Sequence, residues 1–342
     1  MHRLEGSEAM SQNGKPAFAM YWAASCGGCE IAVLNIHEGI LDVDANFDVV
    51  FWPVAMDAKY KDVEAMADGS ITLCLFNGSI RNSENEEMAH LLRRKAKVLV
   101  AFGSCACEGC IPGLANLYSR HALWDTVYGS RFSTENPENV RPQASYAVPE
   151  GEIHIPRMYE SVKTLNQVVP VDYYMPGCPP ESPQIMAVVQ LVIQALKGEA
   201  ELPPGGATIG AGQSTVCDEC PRERHEKRIS GFRRMATYQP NPEECLLEQG
   251  ILCAGPATRS GCVALCPKAN APCAGCYGAP PGVVDQGARM LSAVASVIDS
   301  NDPKEIEKIL DGIVDPVGTF YKFGLAQSLL HRSRLPGNGK EG

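Results

Sequence analysis

The sequence predicts an α/β fold: a doubly wound parallel sheet, followed by a smaller, loop-rich metal domain that C-terminal helices brace. Apolar strand-like segments alternate with helical segments from Pro16 to about Gly198, which is typical of a parallel sheet covered on both faces. Glycine, proline and cysteine then dominate to about Gly282. Eight of the fifteen cysteines fall between Cys217 and Cys276, which indicates that bound metal organises this second part.

Five apolar segments are the predicted strands of the sheet. They are AFAMYWAA at 17–24, DVVFWPVA at 48–55, ITLCLFNG at 71–78, VLVAFGS at 98–104 and VDYYMPG at 171–177. After the first strand and the CGGC turn, Val33, Ile36 and Ile40 predict one helix with a single apolar stripe. Residues 119–170 are polar and rich in turns, so we expect a surface excursion without chemistry.

The clearest helix is predicted from Ser182 to Lys197, with Ser182 as N-cap, Pro183 in the first turn and Gly198 as the stop. A linker at 203–212 follows, and we therefore expect one domain at 16–200 and a second at 213–335. In the second domain, the bracing helices are predicted at 283–298 and after Asp302, which precedes a proline at the first helical position.

Composition excludes several classes of protein. The 342 residues suffice for a core without disulfides. No secretion signal and no apolar run of about 18 residues is visible, so we expect a cytoplasmic chain without a membrane span. In that reducing compartment, fifteen cysteines favour metal binding or redox work. The net charge of −10 disfavours nucleic acid, and GxGxxG, Walker A, HExxH and GxSxG motifs are absent from the sequence.

Cysteines follow three of the predicted strands directly. Cys26 follows the first, Cys105 the fourth and Cys178 the fifth, and Cys29 completes a CxxC pair with Cys26. Because the carboxyl ends of parallel strands meet at one edge of a sheet, these four can form one site. Thiolates in such an arrangement suit a 4Fe-4S cluster, which is held by four cysteines.

Other interpretations of these cysteines remain open on spacing alone. A CxxC pair also suits a thioredoxin-like redox pair or half of a zinc site. Cys107 and Cys110 crowd the loop of Cys105, so spacing does not decide which of the three is the ligand. Cys74, inside a strand, is expected to be a buried structural cysteine.

The eight cysteines of the second domain divide into two sets of four. The first set is Cys217, Cys220, Cys245 and Cys253, and the second is Cys262, Cys266, Cys273 and Cys276. Two structural zinc sites with four thiolates each would also fit. We favour two further 4Fe-4S clusters, because a row of clusters beside the strand-edge site makes a path for electrons.

The motifs SCGGCE, NGSI, GSCA and PGCPP, together with the C-terminal series CDEC, CLLEQGILCAGPATRSGC and PCAGCYG, resemble the small subunit of NiFe hydrogenases over nearly the whole chain. Their order is similar to the cytoplasmic branch, above all to the gamma (small) subunit of the viologen-reducing, heterodisulfide-reductase-associated hydrogenase. Cys217 stands where periplasmic uptake enzymes have a histidine, and the related subunit of respiratory complex I lacks the CxxC pair and this C-terminal series.

The resemblance implies a flavodoxin-like first domain and three 4Fe-4S clusters. It assigns proximal ligands Cys26, Cys29, Cys105 and Cys178, medial ligands Cys262, Cys266, Cys273 and Cys276, and distal ligands Cys217, Cys220, Cys245 and Cys253. It leaves Cys74, Cys107 and Cys110 without a role and puts no catalytic residue and no cofactor besides the clusters on this chain.

The same resemblance implies which proteins this chain works with. Dihydrogen would be split at a NiFe site in a partner large subunit, and electrons would leave for a soluble acceptor or for an iron-sulfur or flavin subunit of heterodisulfide-reductase type. Alternatives are the small subunit of a deazaflavin-reducing or sulfur/NADP-linked hydrogenase, or the electron path of another iron-sulfur oxidoreductase. An alternative of a different class is a zinc-stabilised scaffold.

Overall fold

The computed structural model describes residues 14–226 and 228–330, so the last residues of the predicted second domain, 331–335, lie outside the described residues. The strands are β1 Ala17–Trp22, β2 Asp48–Phe51, β3 Ile71–Asn77, β4 Ile80–Asn82, β5 Ala96–Phe102, β6 Ser145–Val148, β7 Gly151–His154, β8 Met158–Lys163 and β9 Tyr173–Met175. The α-helices are α1 Gly28–Leu34, α2 Gly39–Asn46, α3 Tyr60–Ala65, α4 Ser83–Lys95, α5 Ser104–Glu108, α6 Cys110–Gly113, α7 Arg120–Asp125, α8 Ser182–Leu196, α9 Val216–Glu219, α10 Leu265–Lys268, α11 Gln286–Ala295, α12 Pro303–Leu310 and α13 Pro316–Phe320.

Five parallel strands form the central sheet in the order β2-β1-β3-β5-β9. Counted within this sheet alone, the order is 2-1-3-4-5, which is the flavodoxin-like arrangement with a switch of direction between β1 and β3. All five lie within the predicted strands or overlap them closely, although β2 and β9 are shorter than expected. The predicted α/β class and the doubly wound parallel sheet are confirmed.

Helices cover both faces of the sheet because the side chains of its strands alternate between two cores. Leu99 and Ala101 of β5 face a core that α4 covers with residues such as Leu92. Val100 and Phe102 face a second core that α1, α2 and α8 cover. This alternation fixes the register of the strands. Because the strands are parallel, the loops after β1, β5 and β9 lie at one edge of the sheet.

Three local predictions need correction. The stripe after the CGGC turn is split into α1 and α2, because His37 has a left-handed backbone with φ of 55°, which a continuous helix does not allow. The N-cap of α8 is Glu181 with an extended backbone, whereas Ser182 is already helical. The excursion at 119–170 contains α7, the exposed hairpin of β6 and β7, and β8, which pairs antiparallel with β4.

The part after α8 begins with loops and the short helices α9 and α10, and the helices α11, α12 and α13 follow. It has a small apolar core of its own around Leu246, Ile251 and Val297. The predicted N-cap Asp302 is confirmed, since its side chain accepts a hydrogen bond from Lys304 N. Among the described residues, none of the helices combines the length and the apolar character needed to cross a membrane.

Candidate metal centres

Five cysteines meet at the carboxyl edge of the sheet, one more than predicted. Burial raises the pKa of the Cys29 thiol, and the charges of Cys178, Cys26 and Cys110 add to this rise. Cys110 Sγ lies 3.6 Å from Cys178 Sγ, and a hydrogen bond with Cys105 raises the pKa of Cys110. The loops after β1, β5 and β9 therefore assemble the predicted group together with Cys110.

Serine side chains hold the loop between Cys105 and Cys110. The hydroxyl of Ser79, which is fully buried, lies 3.0 Å from Cys105 O and 3.1 Å from Gly109 O. Ser79 belongs to the NGSI motif, whose physical role the sequence alone does not reveal. This contact explains how a short β3–β4 turn positions a cysteine loop that lies 26 residues further along the chain.

Ser104 joins three cysteine-bearing segments. Its N–H donates to Gly177 O at 2.8 Å, and Gly177 N–H donates to its hydroxyl oxygen at 3.2 Å. The same hydroxyl donates to Cys276 O. Because Gly177 precedes Cys178, Ser104 fixes the third strand-end loop and docks the C-terminal cysteine region onto it.

The other two unassigned cysteines lie in the core. Cys74 is fully buried in β3, as predicted. The thiol of Cys107 donates to Ala101 O at 3.3 Å and packs in the core beneath α4. Of the three cysteines without an assigned role, the structure therefore places only Cys110 among the thiols of the strand edge.

The first C-terminal set lines a cavity of about 410 Å³. All four of its members contribute, namely Cys217, Cys220, Cys245 and Cys253. Burial raises the pKa of Cys217 to about 12, and the charges of the other three add to the rise. A Cβ atom at Gly255 would lie 3.0 Å from Cys217 Sγ, so the absence of a side chain there keeps the space between the sulfurs open.

The second C-terminal set lies between this cavity and the strand edge. Burial raises the pKa of Cys276 to about 12, with further contributions from Cys262, Cys178 and Cys266. Cys276 also packs against the buried cluster that contains Cys105 and Cys110. On the other side, Cys273 N–H donates to Cys253 Sγ at 3.3 Å. The three groups of thiols thus form a continuous row.

Backbone N–H groups point at several of the sulfurs. Burial raises the pKa of Cys262, and hydrogen bonds from the N–H groups of Ala264 and Leu265 oppose this rise. Ala264 adopts a left-handed φ of 52°, a costly conformation for a residue other than glycine. N–H donors of this kind stabilise thiolates and cluster sulfurs, so the strained turn fits a metal-bound Cys262.

Arg222 ties the two C-terminal sets together. Its buried guanidinium donates to Glu244 O at 2.9 Å and to Pro267 O at 2.9 Å. These carbonyls are adjacent in sequence to Cys245 and Cys266. The sequence does not predict a role for Arg222, because a single arginine after a CxxC pair belongs to no recognisable motif, and its partners become visible only in the folded structure.

The donor chemistry fits iron-sulfur clusters. Cys217 and its three partners are four of the twenty residues that line one cavity, so their thiols face a shared space. Twelve of the fifteen cysteines form three sets of four, the ligand number of a 4Fe-4S cluster.

Comparisons with known proteins identify the family of this chain. The family model described as NADH ubiquinone oxidoreductase, 20 Kd subunit, matches residues 26–192. The iron-sulfur subunit of the F420-non-reducing hydrogenase of Archaeoglobus profundus is 40% identical over 318 residues, which are 91% of this chain and 94% of the relative. The corresponding chain of the F420-non-reducing hydrogenase of Methanothermobacter marburgensis is 36% identical over 315 residues, with 90% and 94% covered.

Among solved structures, the [NiFeSe] hydrogenase from Desulfovibrio vulgaris Hildenborough matches with a TM-score of 0.49 and 19% identity, covering 77% of this chain and 93% of the other. The two F420-non-reducing relatives extend over nearly the whole chain, including the C-terminal cysteines that the family model does not reach. The chain therefore belongs to the iron-sulfur small subunits of NiFe hydrogenases, with chains of F420-non-reducing hydrogenases among its relatives.

Proposed function

We propose that this chain is the electron-transfer small subunit of a cytoplasmic NiFe hydrogenase and carries electrons from dihydrogen oxidation through three 4Fe-4S clusters. The observation that carries the proposal is the continuous row of thiols. Cys276 approaches Cys178 at one end of its set, and Cys273 donates to Cys253 at the other. The chain itself provides no catalytic residue, and the NiFe site belongs to a partner large subunit.

In this proposal each set of four cysteines holds one cluster. Cys26, Cys29, Cys105 and Cys178 hold the proximal cluster, Cys262, Cys266, Cys273 and Cys276 the medial one, and Cys217, Cys220, Cys245 and Cys253 the distal one. The clusters supply one-electron transfer. The first domain at 16–200 carries the proximal ligands, and the second at 213–335 carries the other eight. Within the second domain, the order in sequence is thus the reverse of the order in space.

The large subunit covers the proximal face. Apolar side chains are exposed there, with Ile31 and Leu34 three positions apart on α1 and the exposed Trp22 ring directly beside Gly27 of the CGGC turn. Exposed apolar groups around a metal ligand favour burial by a partner. At the other end of the row, the distal cluster, held at the cavity that Cys217 lines, passes electrons to a soluble acceptor or to a subunit of heterodisulfide-reductase type.

Metal analysis of the anaerobically purified complex tests the proposal. Three four-iron clusters predict about twelve irons and twelve sulfides per chain, in addition to the iron of the NiFe site in a copurifying large subunit. Stoichiometric zinc with little iron would support the zinc scaffold instead. The control is Cys74→Ala, which removes a buried thiol outside all three sets and should leave the iron content unchanged.

A single ligand variant tests the assignment within the row. Cys266 is exposed, and its replacement disturbs little packing. Cys266→Ser should change the electron paramagnetic resonance signal of one cluster, slow electron delivery and leave the other two signals intact. A spectrum identical to that of the wild type would remove Cys266 from the ligands.

A further inference from the structure

We propose that Cys110 is an alternative ligand of the proximal cluster, able to take the position of Cys178 on the same iron. The inference rests on the proposed function and adds a fifth thiol to its first site. Cys110 and Cys178 are 68 residues apart in sequence, but their sulfur atoms are 3.6 Å apart. Two thiols at this distance can reach one metal position with small movements of their side chains.

Burial distinguishes the two thiols. Cys110 is 1% exposed, whereas Cys178 is exposed. Cys105 and Phe323 pack with Cys110 in one buried cluster, so its sulfur lies inside the site rather than at the rim. A buried thiol beside four predicted ligands is a second source of thiolate for any iron that loses contact with the exposed cysteine.

The backbone holds Cys110 in place. Its φ of 49° lies in the left-handed region, which is unfavourable for a residue other than glycine. Its N–H donates to Phe323 O at 2.8 Å, and Ser79 contacts the carbonyl oxygen of the preceding Gly109. Glycine would satisfy the same backbone, so the position does not need a cysteine for folding.

Cys107 provides a built-in comparison. It lies in the same loop and is 5% exposed, but its thiol donates to Ala101 O at 3.3 Å and packs in the core beneath α4. The two cysteines match in residue type, loop and burial, and they differ in what the sulfur contacts. A role for Cys110 as a ligand therefore predicts that replacing Cys110 affects the proximal cluster, whereas replacing Cys107 does not.

The exchange is a balanced ligand substitution without oxidation or reduction. The Cys110 thiol gives up its proton and its sulfur forms a bond to iron, while the bond between iron and Cys178 breaks and the Cys178 thiolate takes up the proton. Cys110 already donates its hydrogen bond to Cys178, so the proton has a direct path. The number of thiolate ligands and the net charge of the site stay the same.

The first experiment compares iron content in the purified hydrogenase complex. Cys178→Ala and Cys110→Gly should each keep about twelve irons per chain, whereas the double variant should keep about eight. The double variant Cys107→Ala with Cys178→Ala also lacks two thiols but should keep about twelve. Loss of about four irons from Cys178→Ala alone would overturn the inference. A wild-type complex without iron would instead refute the proposed function itself.

A second measurement does not depend on Cys178→Ala assembling. In the anaerobic wild-type complex, the proximal cluster should give two electron paramagnetic resonance signals, one with Cys178 and one with Cys110 as the fourth ligand. In Cys110→Gly, Cys178 is always bound, so only one of these two signals should remain. Identical spectra of the wild type and Cys110→Gly would refute the exchange, and Cys107→Ala should keep the wild-type spectrum.

Discussion

The most direct test of the proximal site is Gly103→Ala. Gly103 has φ of 80° and ψ of 158°, a region that only glycine occupies readily, so alanine adds about 1–3 kcal/mol of backbone strain. A Cβ atom there would also lie closer than 3.0 Å to Cys29 Sγ, which would displace that sulfur by about 0.5 Å or more. Ligands need to be held within about 0.5 Å of their productive position.

We therefore expect Gly103→Ala to lose the proximal cluster, about four irons of twelve per chain, while the signals of the other clusters remain. The assay is iron and sulfide analysis of the anaerobic complex together with electron paramagnetic resonance. Gly69→Ala is the matched control, since Gly69 has φ of 71° but no atom within 4 Å of the added Cβ. A Gly103→Ala complex with the full iron content would refute the argument from the close approach of Cys29.

Three further predictions concern buried groups. Burial raises the pKa of the Glu108 carboxyl from 4.5 to about 8, so the free energy of unfolding of the wild type falls as pH rises from 4.5 towards 8. Between pH 5 and pH 7, the free energy of unfolding of Glu108→Gln should therefore rise by about 2.5 kcal/mol relative to that of the wild type, measured by urea unfolding. Arg222→Gln removes hydrogen bonds between the Cys245 and Cys266 loops and should lower the free energy of unfolding by at least about 3 kcal/mol, measured by thermal unfolding. Arg234 is exposed, so Arg234→Gln should leave the unfolding temperature nearly unchanged. Cys74→Ala should cost about 1–2 kcal/mol through its cavity, with unchanged metal content.

Local patterns predicted the sheet well because its strands are buried on both faces. Continuous apolar runs such as ITLCLFNG identify such strands, and β3 occupies seven of those eight residues. The helix after the CGGC turn was predicted less well, because the left-handed His37 depends on how α2 packs. The Glu181 N-cap is one residue from the predicted Ser182, which is the usual uncertainty of a helix end.

Contacts that cross long stretches of chain could not be predicted. Ser104 and Cys276 are 172 residues apart, and Arg222 bonds a carbonyl 45 residues away. Neither residue type is distinctive, so periodicity and motif spacing give no signal for them. The same holds for Cys110, whose spacing from Cys105 does not indicate that its thiol turns towards Cys178.

The sequence by itself determined the class of the fold and the residues that are available to form metal sites. The alternation of apolar strands and helices predicts a parallel sheet, and the clustered spacing of the fifteen cysteines indicates groups of thiols. Both patterns can be read along the sequence because they depend on residues that are close together in the chain. Only the tertiary structure decided that the thiols form one row and that Cys110 belongs at its start. Distances between sulfurs depend on how loops fold back over the sheet edge, and that packing is fixed by contacts such as those of Ser79 and Ser104.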